Sequence, residues 1–111
     1  MNALDDVLRA FTSGALTEAS ACFAHDGVYR EVGKAPICGR AAIDAHFARF
    51  GASGRSWRFV VEIVVRGEGH ACVVYRFATG GEGLQWHERD GCAIVRFGTG
   101  NLIAEWREYH G

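Results

Sequence analysis

The carboxyl-terminal half of the chain consists of four apolar runs separated by short glycine-rich segments, and this punctuation limits the folds open to it. Residues 57–66, WRFVVEIVVR, set Trp57, Phe59, Val61, Ile63 and Val65 on one face if they alternate as a strand. GEG at 67–69 turns that run into HACVVYRFAT at 70–79, and GGEG at 80–83 turns again into a run from about Leu84 to Phe97. GTGN at 98–101 then leads into Leu102 to Tyr109. Glycine adopts positive φ without a Cβ clash, so segments of this kind are where hairpins reverse. Four long strands joined this way form an antiparallel meander, and such a sheet needs something apolar to cover one of its faces.

The amino-terminal half supplies the cover. Leu4, Val7, Leu8 and Phe11 follow the stripe of an amphipathic helix, and Gly14 interrupts it. Thr17 is placed to cap a second helix, which carries Ala19, Cys22 and Phe23 on one side and stops at HDG, 25–27. VYREV at 28–32 reads as a short strand, followed by a loop through Pro36. A third helix starts near Arg40, with Ile43, Phe47 and Phe50 as its stripe and His46 at the edge of the core. Helices first and a meander afterwards predict an α+β domain spanning residues 1–111.

Composition excludes several classes. With 49% hydrophobic residues, 111 residues are enough for one core. Twelve basic against thirteen acidic residues leave a charge of −1, no footprint for a nucleic acid. No apolar stretch nears the ~20 residues of a membrane span. MNALDDVLRAF lacks the basic start and apolar core of a signal peptide, so a cytoplasmic location is expected. Cys22, Cys38, Cys72 and Cys92 include no C-x-x-C pair and read as half-buried free thiols, and no two histidines stand three to five apart. No metal and no cofactor are expected.

The last run, NLIAEWREYHG, is unusually rich in aromatic and ionisable residues for a terminus. Strict alternation divides it into Leu102, Ala104, Trp106 and Glu108 against Ile103, Glu105, Arg107 and Tyr109. A carboxylate in line with a tryptophan on the inner face of a curled sheet is costly unless it is paired or wet. That points to a pocket, with Glu105 and Arg107 outside.

Three segments in order, GALTEASACFAHDGVYREV, GRAAIDAHFARF and NLIAEWREYHG, resemble the nuclear transport factor 2-like superfamily, in particular its SnoaL-like and ketosteroid-isomerase-like members. The resemblance covers nearly the whole chain. It implies a cone: a strongly curved, mostly antiparallel sheet wrapped on the amino-terminal helices (a cystatin-like roll), with a pocket in the open end. It also implies a homodimer through the outer face of the sheet, where apolar positions of FVVEIVV and ACVVYRF would otherwise be exposed.

The resemblance further implies candidate residues. In isomerase-like members an aspartate general base ends the first short strand, and Glu31 stands there; their first-helix tyrosine has no counterpart, since no tyrosine precedes Tyr29. In epoxide-hydrolase-like members an aspartate after WR in the final strand activates water, and Glu108 matches it. Their arginine partner is similar in position to Arg76, which is therefore expected to orient Glu108, while the second carboxylate falls on Ala78. Polyketide-cyclase-like members use one acidic residue near the same strand, again Glu108. Tyr29, Trp57, Phe59, His87 and Trp106 are the expected pocket wall.

Two readings follow. One is a cofactor-free enzyme of small, largely apolar molecules, using carboxylate acid–base chemistry for isomerisation, cyclisation, or epoxide or water addition. The other is a non-catalytic ligand-binding or dimerisation module of the same fold.

Overall fold

The computed structural model describes residues 3–81 and 83–111, apart from the side chain of Leu84. Helix α1 (Ala3–Ser13) buries Leu4, Val7, Leu8, Ala10 and Phe11 and ends where Gly14 takes φ 82°. Helix α2 (Leu16–Ser20) is a little over one turn. Its N-cap is Ala15, with no side-chain cap, so Thr17 does not have the expected role. The chain then leaves the helix early, because Phe23 and the HDG segment belong to strand β1 (Phe23–Glu31). Phe23 is fully buried and pairs with Ile103. That tertiary pairing overrides a helical stripe that alone has little to stabilise it. A two-residue strand β2 (Ile37–Cys38) precedes helix α3 (Arg40–Gly51), which buries Ile43 and Phe47.

Strands β3 (Ser56–Gly67), β4 (His70–Gly81), β5 (Leu84–Phe97) and β6 (Ile103–His110) complete one six-stranded sheet of order β2-β1-β6-β5-β4-β3. All neighbours are antiparallel except β1 and β6, which run parallel. The last strand is therefore interior, tied on both sides by ladders, and its residues are not those of a frayed end.

Two irregularities correct the simple alternation. The β3–β4 register shifts between Val61 and Ile63. A bulge of this kind moves later side chains to the other face. Val64 accordingly packs on the core, whereas Ile63 and Val65, expected to face inward, are 54% and 59% exposed. The β5–β6 register shifts beside Phe97, and Ile103, expected outward, is fully buried.

Curvature of the sheet brings α1 and α3 against its concave face. Phe11 of α1 is central there, its ring centroid 5.7 Å from Phe47, 5.2 Å from Phe59 and 5.4 Å from Trp106. The convex face carries Val60, Ile94, Trp86 and Tyr109, all more than a third exposed. Among the described residues no helix is long and apolar enough to cross a membrane.

Candidate functional site

Parallel pairing of β1 and β6 creates the site. The register sets Tyr29 beside Trp106 and Glu31 beside Glu108, so four side chains two residues apart on adjacent strands share the concave face. Trp106 is fully buried and Glu108 is only 8% exposed. A carboxylate at that depth needs hydrogen-bond donors, and it has them. The Tyr29 hydroxyl donates to Glu108 Oε1 at 2.5 Å, and Trp106 Nε1–H donates to the same oxygen at 2.9 Å. Glu108 Oε2 is left for His110, whose Nε2 lies 3.3 Å away. The same nitrogen is 3.3 Å from the Tyr75 hydroxyl.

Tyr75 reaches this point because it lies against Gly91, its partner on β5. A Cβ at position 91 would stand 2.5 Å from the Tyr75 ring, so only glycine admits the ring there. Phe59 stacks on the other part of the same ring, at 4.6 Å between centroids.

Glu31 forms the second wall. Its Oε2 is 3.2 Å from Lys34 Nζ, and its Oε1 is 3.9 Å from Nε2 of His46, whose ring lies 5.5 Å from that of Tyr29. Ligand atoms of Glu31, Glu108 and His110 all lie within 4.8 Å of one another, close enough to ligate one small cation. Spacing rules for metal ligands cannot see such a set, because it combines two residues of β6 with a parallel neighbour on β1.

The two histidines are pushed in opposite directions. The hydrogen bond to Glu108 raises His110 above the ordinary histidine value, outweighing burial, while burial lowers His46 despite the nearby Glu31. Burial, then Glu108, holds both Tyr29 and Tyr75 well above the usual tyrosine range, so both hydroxyls stay protonated.

Not all the expected residues converge. Arg76 lies on the convex face, 53% exposed, 3.6 Å from Glu62, 3.7 Å from Glu88 and 3.8 Å from Asp90. It does not orient Glu108. Its neighbours Tyr75 and Phe77 pack inward, and strand alternation then sends Arg76 out; the apolar flanks CVVYRFA carried that signal. His87 is exposed on β5 opposite Thr79, about 20 Å along the strand from Ala93, the partner of Glu108. Trp57 is half-buried against Phe50, 5.2 Å between centroids, on the far strand of the sheet. Phe59 approaches through Tyr75 and, by way of Phe11, through Trp106. Sequence reasoning did not assign His110 or Tyr75 to the site. His110 was in principle visible, two residues after Glu108 on the face of Trp106.

Two concavities open elsewhere. One of about 520 Å³ lies between α1, α2 and the turn before β6, and one of about 220 Å³ lies on the convex face around Arg76. Glu108 lines neither.

A family model for the SnoaL-like domain matches residues 4–106. The chain belongs to the SnoaL-like domain family. Solved structures share its fold at low identity. A ketosteroid isomerase-like protein of Catenulispora acidiphila, in complex with trimethylamine, superposes with a TM-score of 0.83 at 19% identity, covering 96% of this chain and 83% of that one. An LEH-like epoxide hydrolase of M. tuberculosis gives 0.84 at 17% identity, covering 98% and 80%. A Mycobacterium tuberculosis protein in complex with estradiol-17beta-hemisuccinate gives 0.81 at 19% identity, covering 96% and 89%. At such identities the likeness is one of fold. A comparison with curated protein sequences finds no match. This SnoaL-like chain is thus similar to proteins that include an epoxide hydrolase and proteins with small ligands bound.

Proposed function

We propose that this SnoaL-like domain binds a small, largely apolar molecule at the Glu31–Glu108 end of the cone and moves a proton on it without a cofactor. The observation that carries the reading is the division of labour at Glu108. Tyr29 and Trp106 occupy Oε1, and Oε2 faces His110. A buried carboxylate held in this way orients an imidazole and stabilises its cation, leaving the other ring nitrogen to exchange a proton with a ligand. His46, lowered by burial, is the neutral base across the site, and His110, raised by Glu108, is the acid. Isomerisation, cyclisation and epoxide or water addition can each be run by such a pair. Neighbours of this fold that hydrolyse an epoxide or hold a steroid ester support the class of molecule.

The test is turnover of a panel of apolar epoxides, enones and hydroxyketones by the wild type, Glu108→Gln and His110→Gln. Each variant should lose about 10²–10⁴-fold in rate, with the Trp106 indole resonance still shifting on ligand addition. Wild-type rates in both variants would refute proton transfer at this pair. The second reading, binding without catalysis, is favoured by the aromatic packing of the interior and by concavities that lie away from Glu108. It predicts ligand-induced resonance shifts at residues such as Ala10 and Leu102, which line the larger concavity, with no turnover in any form. A homodimer through the convex face, covering Ile63, Val65 and Ile94, belongs to either reading. Sedimentation showing only monomer at high micromolar concentration would refute it.

A further inference from the structure

Cys72 and Cys92 occupy the convex face of adjacent strands, away from the site. Cys72 pairs with Ile94 and Val74 with Cys92, so the two cysteines are diagonal neighbours across the β4–β5 ladder. Both are half-buried, and their sulfurs are 3.3 Å apart. The other two thiols differ in kind: Cys22 is buried and Cys38 is exposed on β2.

We propose that Cys72 and Cys92 are an oxidative modification site that takes a small hydroperoxide and closes to a reversible cross-strand disulfide. The sulfur of Cys72 attacks the peroxide oxygen, giving a sulfenic acid and one water or alcohol. The Cys92 sulfur then displaces the sulfenic oxygen as water, forming the S–S bond. Two thiols lose two electrons and two protons, and the peroxide O–O bond is the oxidant. Burial, and the hydrogen bond shared with Cys72, hold the Cys92 thiol up, which disfavours its thiolate and so its attack on the peroxide in the first step.

Geometry sets the character of the bond. A disulfide is about 2.05 Å long, so the sulfurs must approach by about 1.2 Å from their 3.3 Å separation. Diagonal positions in a sheet have Cα atoms about 7–8 Å apart, beyond the usual disulfide range, so the ladder must tighten. A bond under that strain is easily reduced, as labile disulfides are and structural ones are not. Because the pair lies among Val65, Val74 and Ile94, the proposed dimer would cover it. Oxidation is then a reaction of the free subunit.

The experiment is hydrogen peroxide treatment at low micromolar protein, followed by alkylation with N-ethylmaleimide and peptide mapping. The expected product is a Cys72–Cys92 cross-linked peptide, about 2 Da lighter than its two thiol halves, restored by dithiothreitol. In Cys92→Ser, a dimedone adduct should collect on Cys72; in Cys72→Ser, neither adduct nor cross-link should form at Cys92. Recovery of both residues fully alkylated, while Cys38 reacts, would overturn the proposal. So would a dimedone adduct on Cys92 in Cys72→Ser equal to that on Cys72 in Cys92→Ser.

Discussion

The two faces of one sheet treat charge in opposite ways. On the concave face Glu108 is 8% exposed, and its carboxylate takes donors at 2.5 and 2.9 Å plus an imidazole at 3.3 Å. On the convex face Arg76 is 53% exposed, and its three carboxylate partners stand off at 3.6–3.8 Å. Both residues lie on long, well-paired strands. What differs is solvent. Out of water a group must have every partner in place, and the partners then fix its geometry. In water an ion pair is loose and worth under about 1 kcal/mol. The concave arrangement is therefore the more closely fixed of the two, although the convex one gathers more formal charge.

The sharpest way to break this contrast is Glu108→Ala. It strands the Tyr29 hydroxyl and the Trp106 indole N–H in the core and should cost about 2–4 kcal/mol, read from urea denaturation. A loss below about 1 kcal/mol would mean the buried carboxylate is not held as described. Gly91→Ala should come next, at about 1–3 kcal/mol, because the new methyl forces the Tyr75 ring off β5. It should also shift the His110 imidazole resonances, whereas a variant with wild-type stability would show that the ring has room.

A smaller effect separates the two histidines by pH. His110 is raised in the folded chain, so its contribution is complete below the unfolded value near ~6.5 and is lost as pH rises through the folded value. His46 is lowered, so its stability is present above ~6.5 and is lost as pH falls through its folded value. His110→Gln should flatten the alkaline limb of a stability–pH profile, and His46→Gln the acid limb. The reverse assignment of limbs would contradict the site's electrostatics. Smallest of all is Arg76→Ala, expected to change stability by less than about 1 kcal/mol and to leave the His110 resonances in place. A shift there would mean that the two faces are coupled.

Much of this was legible in the residues. Glycine segments marked each hairpin, period-two runs marked the long strands, and Trp106 and Glu108 were set on one face by their spacing alone. These are local properties, and the chain needs no distant contact to express them. The family resemblance also reached the right fold. The bulge after Val61, which turns Ile63 and Val65 to solvent, is a property of the β3–β4 ladder and leaves no mark in an unbroken apolar run. Local stripe rules gave Phe23 to a helix because nothing near it announces its distant partner Ile103.

Tertiary structure alone decided that β1 pairs in parallel with β6, some eighty residues later, and so brought Glu31 to Glu108 and the Tyr29 hydroxyl to its carboxylate. It likewise decided that the partner of the Glu108 carboxylate is the His110 imidazole, not the guanidinium of Arg76. The physical reason is that pairing between non-consecutive strands depends on which faces the whole sheet buries. That sum over distant contacts is absent from any short stretch of the chain.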